Sequence, residues 1–328
     1  MIPIALTIGD PNGIGPEIAV KAAAALAGDA LTPILVGDAA VVESYAARLA
    51  PGMALHDVAG GEPARGAINL FAAPGLPHGC FAPGRIEPAA GRATVAYVEA
   101  AVGLVRAGRA RAIVACPHSE TAINQAGIPF RGYPGLLARI LGVPEQSIFL
   151  LLIGGGLRIL HATLHERLAD ALDRLTVDLI EDAGRALVTA LGALGVASPR
   201  IGLFGINPHA GENGLFGEDD RRITEPAAQR LRDSGFHVEG PLGADVFLAR
   251  RDLDAYVAIY HDQGHIPVKM LAPRSAVALS VGGDIVFSSV GHGSAFDIAG
   301  RDIADPSALI AALRLVAGRG ASPIGEKQ

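Results

Sequence analysis

Short apolar, β-branched runs alternate along this chain with stretches of helical periodicity, and that alternation admits few architectures. IPIALTI (2–8), TPILVG (32–37), RAIVAC (111–116), SIFLLLI (147–153), LRILHAT (157–163), PRIGLFGI (199–206) and AYVAIY (255–260) read as strands. Helical patterns fall at 16–26, from Asp38 onward, and at 89–107, 134–141, 166–195, 219–234 and 306–317. Strand and helix in turn predict an α/β fold with a parallel or mixed sheet covered by helices. At 328 residues the chain is long enough for about two domains. The expected division is a discontinuous first domain, 1–120 plus 272–328, and a second domain, 121–271. The cleft between them is the default ligand site.

Composition narrows the class. Half the residues are hydrophobic, yet no apolar run reaches the ~18 residues of a membrane span. The opening MIPIALTIGDPNG lacks the basic stretch of a signal peptide. Cys80 and Cys116 cannot build a disulfide framework and share no metal-type spacing. A net charge of −6 argues against nucleic acid as a partner. A cytoplasmic protein without a membrane partner is expected. Among 27 basic residues only Lys21, Lys269 and Lys327 are lysine, and a lysine kept in such a chain marks chemistry that Arg cannot replace. Lys21 reads as a replaceable residue of an Ala-rich helix and Lys327 as a tail residue, which leaves Lys269.

Binding groups of α/β folds collect in the loops after strands. Three such loops carry histidine: His165 in HATLHE, His209 in NPHAGENG and His261 in YHDQGH. Together they could hold one divalent metal with open positions; singly, each is as readily a loop histidine bonded to backbone. His161, inside its strand, and His265, one helical turn past His261, compete for ligand or supporting roles. Two Gly-rich loops stand out besides. GHGSAFDIAG (291–300) exposes backbone N–H groups suited to a flat ligand, or is a tight loop that needs glycine. GDPNGIGPE (9–17) fits neither the P-loop nor the dinucleotide fingerprint, and reads as an anion site at a helix start or as a structural turn.

In order and spacing, GDPNGIGPE, NPHAGE, YHDQG and HGSAFDIAG resemble the PdxA family of 4-hydroxythreonine-4-phosphate dehydrogenases over essentially the whole chain. The last loop is also similar to the adenosine-binding loop of isocitrate and isopropylmalate dehydrogenases. The resemblance implies their two-domain α/β fold with an interdomain cleft, and a homodimer with its active site near the dimer interface. It implies NAD and a divalent metal held by His165, His209 and His261, with ligands from both subunits. Zinc comes first, with Fe(II), Co or Ni also suited to imidazole. The cofactor loop maps onto Gly291, His292, Gly293, Ser294, Ala295 and Asp297, and the active-site lysine onto Lys269.

The departures point to the substrate. Where the vitamin B6 enzymes carry Gly-His-Thr-Glu, this chain has Gly132-Tyr133-Pro134-Gly135, and the family's substrate-binding Asn and Arg fall on Ala278 and Phe287. Loss of polar donors argues against a phosphate dianion, while Tyr133, Pro134 and Phe287 suit a ring. ACPHSETAI (115–123), FRGYPGLLA (130–138), TLHE (163–166) and HDQGHIPVK (261–269) resemble the terephthalate cis-dihydrodiol dehydrogenases. That branch implies NAD-dependent oxidative decarboxylation of 1,2-dihydroxy-3,5-cyclohexadiene-1,4-dicarboxylate to protocatechuate. Lys269 is expected as acid/base or carboxylate partner, and His118 and Arg131 as carboxylate contacts. The rivals are 4-hydroxythreonine-4-phosphate dehydrogenase or another phosphorylated hydroxy-acid dehydrogenase, a metal-dependent hydrolase, and a ligand-binding protein.

Overall fold

The alternation of apolar runs and helices does become a mixed α/β fold, seen in a computed structural model that describes residues 1–273, 276–290 and 293–318. Two of the expected cofactor-loop residues, Gly291 and His292, and also Lys327, lie outside the described residues. The chain forms two compact units, Met1–Leu136 together with the stretch from Ile285 on, and Leu137–Asp284. Among the described residues no helix is long and apolar enough to cross a membrane.

The first unit opens with β1 (Ile2–Thr7), α1 (Gly15–Leu26), β2 (Leu31–Gly37), α2 (Ala39–Leu49), β3 (Leu55–Asp57) and β4 (Ile68–Ala72). It continues through α3 (Pro88–Arg106), β5 (Ile113–Ala115) and α4 (Glu120–Gln125) into α5 (Tyr133–Leu141), inside which the unit boundary falls. The second unit runs β6 (Phe149–Gly154), β7 (Leu157–His161), α6 (Leu168–Asp173), α7 (Val177–Ala193), β8 (Arg200–Phe204), α8 (Glu225–Asp233) and β9 (His237–Leu242). It ends with α9 (Ala244–Arg250), β10 (Ala255–Ala258), α10 (His261–Leu271) and β11 (Val277–Gly282), after which β12 (Ile285–Ser289) and α11 (Ser307–Val316) return to the first unit.

In the first unit the strand order is β3-β4-β2-β1-β5-β12, with every pairing parallel. Parallel strands covered on both faces must be apolar throughout, and all of β2 is buried. In the second unit the order is β11-β6-β7-β10-β8-β9, with β11-β6 and β6-β7 antiparallel and the remainder parallel. Its core joins Leu152, Ile159, Phe204, Phe247, Tyr256 and Val268, all at most 2% exposed. Val268 belongs to α10, so this cluster seats that helix on the sheet.

The sequence places His265 one helical turn past His261, and the helix there runs on as α10 through Gly264 and Pro267. Packing overrides both residues. A Cβ at Gly264 would land on His161 Nε2 and lie 2.9 Å from Ile159 Cγ2, so the glycine is what lets α10 lie directly on β7. Asp262 in the first turn and Lys269 in the last complement the helix dipole. The helix expected over 166–195 is two, because Thr176 caps α7 through the Leu179 N–H at 3.1 Å. Asp38 precedes α2 but does not cap it with its side chain, its Oδ2 accepting instead from Gly75 N, Leu76 N and the Tyr97 hydroxyl.

Lys21 is not the replaceable residue that its Ala-rich helix suggested. Its ammonium donates to Glu17 Oε1 at 2.8 Å and to the carbonyls of Asp302 at 3.0 Å and Ala304 at 2.8 Å. Glu17, fully buried, also accepts the N–H groups of Asp302 and Ala304. Together the two residues clamp the segment that follows the Gly-rich loop onto α1. Lys21→Met leaves Glu17 a buried charge without its counter-ion and is expected to cost about 3 kcal/mol of stability. Urea unfolding measures this, and a loss no larger than that of an exposed Lys→Met change would contradict the clamp.

Candidate functional site

Strands β7, β10 and β8 are neighbours and parallel, so the loops after them leave the same edge of the second unit. Those loops carry His165, His261 and His209. The first two are tied together by hydrogen bonds from Ala162 N to Ala258 O (2.8 Å) and from the Thr163 hydroxyl to Ile259 O (2.8 Å). Gln263 adds a cross-brace, donating to Gly205 O at 2.8 Å and accepting from Ile259 N at 2.7 Å.

Side chains meet on part of this edge. The rings of His165 and His261 lie 5.1 Å apart, and His261 stacks on His265 at 3.8 Å with 16° between planes. His265 Nδ1 lies 3.0 Å from His161 Nε2, and His161 Nδ1 lies 3.1 Å from Leu150 O. Asp262 Oδ1 accepts from His261 Nδ1 at 2.7 Å, which leaves Nε2 of His261 as the free ring nitrogen. Burial pushes His161 down to about 3 and His265 to about 4, with the neighbouring imidazoles adding to the effect. Both are therefore neutral at physiological pH. A pocket of about 560 Å³ is lined by His165 and His261 together with Thr163, Glu166, Arg167 and Tyr260 among others.

His209 stands apart from these rings. Its side chain is 65% exposed, 6.0 Å from the Phe216 ring and 3.8 Å from Glu212 Oε2. The backbone from His209 to Asn213 runs through five consecutive left-handed residues, four of them not glycine. Such a stretch is strained, and buried Asp220 holds its entry by accepting from Ile206 N at 2.7 Å and Asn207 N at 2.9 Å. Among the described residues of one chain, no group of three or more His, Cys, Asp or Glu is arranged to hold a metal ion. The donor chemistry nonetheless fits one at His165 and His261, neighbouring imidazoles of which His261 has its other nitrogen already engaged. Lys269 is exposed in the last turn of α10, on the helix face of His261 and His265.

In the first unit the GDPNGIGPE loop is a structural turn. Four of its amides are engaged within the protein: Asp10 N by Pro117 O, Asn12 N by Asp10 Oδ1, Gly13 N by Asp10 O and Ile14 N by Ser294 O. Burial raises Asp10 to about 6, partly offset by the Asn12 N–H. The described part of the Gly-rich loop sits on this turn. Ser294 packs against Gly13 with its hydroxyl buried and unpartnered, as is Asn12 Nδ2. Gly293 and Asp297 are exposed, Ala295 is half-buried in a left-handed conformation, and a Cβ at Gly293 would meet nothing within 4 Å. Orphaned donors beside an open small-residue loop fit a polar cofactor.

The aromatic residues expected to face a ring substrate face each other instead. Tyr133 and Phe287 lie 4.4 Å apart and are 6% and 1% exposed, so Phe287 is a floor under Tyr133, away from solvent. His118 packs edge-on to Phe130 at 4.9 Å and Tyr133 at 4.6 Å, and burial pushes it down to about 4. It can offer an N–H but not a positive charge. Arg131 is exposed and Pro134 half-buried beside this cluster in sequence. The His161–His265 pair was legible only as two candidate histidines, since nothing in a sequence gives ring tautomers or stacking.

The fold places the chain among two-unit α/β proteins with a large mixed sheet, and comparison with known proteins supplies the family. Residues 29–316 match pyridoxal phosphate biosynthetic protein PdxA. The chain is 49% identical to 1,2-dihydroxy-3,5-cyclohexadiene-1,4-dicarboxylate dehydrogenase of Comamonas sp., covering 98% of each chain. It is 40% identical to D-threonate 4-phosphate dehydrogenase of Cupriavidus necator, over 95% of each. A terephthalate 1,2-cis-dihydrodiol dehydrogenase structure from Burkholderia xenovorans LB400 superposes with a TM-score of 0.88 at 53% identity, over 98% of this chain and 99% of that one. The chain belongs to the PdxA family, and these relatives are dehydrogenases.

The buried imidazoles set a pH dependence. His118 and His161 titrate below the ordinary value of 6.5 in the folded chain. The unfolded chain therefore binds more protons from about pH 6.5 down to about pH 4, and stability falls as pH drops through that window. Asp10, raised from 3.8 to about 6, acts the other way and recovers part of the loss. The thermal midpoint is expected to fall between about pH 7 and about pH 5, less steeply in His118→Phe. A midpoint that holds or rises would contradict neutral burial.

Proposed function

We propose that this chain is an NAD-dependent, metal-dependent dehydrogenase that oxidises and decarboxylates a cis-dihydrodiol carboxylate. The proposed substrate is 1,2-dihydroxy-3,5-cyclohexadiene-1,4-dicarboxylate, and the products are protocatechuate, CO2 and NADH. The observation that carries the reading is the pair His165 and His261, 5.1 Å apart, with Asp262 holding Nδ1 of His261 beside the pocket. The 49% identity to the dicarboxylate dehydrogenase supports the substrate, as does Tyr133-Pro134 in place of the phosphate-enzyme His-Thr.

His165 and His261 would hold a divalent metal, zinc first, together with His209 of the partner subunit in a homodimer; the exposure of His209 supports that division. Gly291, His292, Gly293, Ser294, Ala295 and Asp297 would hold NAD. A bound metal supplies Lewis acidity to the substrate hydroxyl and NAD⁺ accepts hydride. Oxidation of the secondary hydroxyl leaves a ketone β to a carboxylate, and loss of CO2 restores an aromatic ring. Lys269 would hold or move the proton, or pair with a carboxylate, for which a compact ammonium is better suited than guanidinium. Arg131 would pair with a carboxylate, His118 would donate a neutral N–H, and Pro134 would border the ring over the packed Tyr133–Phe287 pair.

NADH formation from a panel of cis-dihydrodiols, D-threonate 4-phosphate and 4-hydroxythreonine 4-phosphate tests the reading. The dicarboxylate dihydrodiol should be turned over, and a chelator should abolish the turnover. Turnover of a phosphorylated hydroxy acid alone, or full activity without metal, would sink it. Lys269→Arg keeps the charge and should lower kcat by about 100-fold or more; a fully active variant would remove Lys269 from the chemistry.

A further inference from the structure

The four histidines on the β7–α10 face are not equivalent. His161 is the last residue of β7 and fully buried, while His265 is half-buried on α10, one turn past His261. A backbone carbonyl only accepts, so the 3.1 Å contact to Leu150 O requires His161 to carry its proton on Nδ1. A second proton on a fully buried ring between other imidazoles is costly, so His161 Nε2 holds a lone pair. The 3.0 Å contact to that atom then requires the proton of His265 on Nδ1. Each tautomer follows from the one before, starting at the main chain of β6.

His265 cannot share an ion with His261. A ring nitrogen binds a metal in its own plane at about 2.0–2.1 Å, and these planes are nearly parallel with centroids 3.8 Å apart. An ion in line with one ring is out of line with the other. What His265 does offer is a flat face beneath His261. With Asp262 holding the Nδ1 edge, that face fixes the remaining freedom of the His261 ring, its rotation out of plane. Gly264 keeps the space: a Cβ there would collide with His161 Nε2 and displace the pair.

We propose that His161 and His265 are positioning residues: the Leu150 carbonyl fixes the tautomer of His161, His161 fixes that of His265, and His265 holds the ring plane of His261 for metal binding. The last step rests on His261 being a metal ligand, as proposed above; the first two do not.

Two measurements on the whole protein test it. Ring ¹⁵N–¹H spectra of histidine-labelled, metal-free protein should report the Nδ1–H tautomer for both His161 and His265, assigned with His161→Leu and His265→Phe. A proton on Nε2 of either ring would overturn the relay. Zinc affinity, by competition with a chromophoric chelator, should fall about 10- to 100-fold in His265→Ala. His265→Phe keeps the flat face without the hydrogen bond and should recover most of that affinity. Zinc binding by His265→Ala within about twofold of the parent protein would overturn positioning, and so would equal losses in Ala and Phe, which would make His265 a ligand. Unchanged zinc affinity in His261→Ala would instead overturn the ligand reading of His261, and that outcome is separable because the tautomer spectra do not depend on metal.

Discussion

The second unit's chemistry depends on one close approach, α10 lying on β7 at Gly264. With no side chain at that position the helix touches the sheet, and Val268 one turn later anchors it in the core. That seating aligns His261, His265 and Lys269 at successive turns of one helix face, above a strand whose last residue is His161. Displacing α10 by a methyl group would disturb a hydrogen-bonded pair, a ring stack and a proposed ligand at once. The His261 side of the candidate site is therefore set by helix packing, whereas His165 and His209 are carried by loops.

The first unit is organised by different forces. Its strands are parallel and apolar, so the polar groups concentrate at strand ends, and there the loops satisfy one another. Asn12 holds Ala82 and Gly84. Ser294 receives the start of α1. Glu17 and Lys21 clamp residues 302–304. Two of the buried groups left over, Ser294 Oγ and Asn12 Nδ2, sit beside the small-residue loop proposed to hold NAD.

Much of the framework was legible in the sequence because parallel strands are long apolar runs bounded by Gly and Asp. Those signals gave the α/β class, and the motif set gave the family. What was not legible has particular causes. The extent of α10 beyond its first turn was not legible, since propensity does not anticipate a helix that carries Gly264 and Pro267 and is held by packing. Lys21 looked dispensable because its partners, the carbonyls of Asp302 and Ala304, are distant in sequence. Phe287 looked available to a ring substrate, but residue type alone does not reveal that Tyr133 covers it. The histidine loops were found by their place after strands, whereas the division of labour among His161, His165, His261 and His265 needed distances and ring planes.

The central claim is that His165 and His261, together with His209 of the partner subunit, hold a catalytic metal, and X-ray absorption of the zinc-loaded protein tests it most directly. The account predicts a first shell of about three imidazole nitrogens at about 2.0–2.1 Å, no sulfur at about 2.3 Å, and one nitrogen fewer after His209→Ala. A shell with thiolate sulfur, or one of oxygens without imidazole, would contradict it.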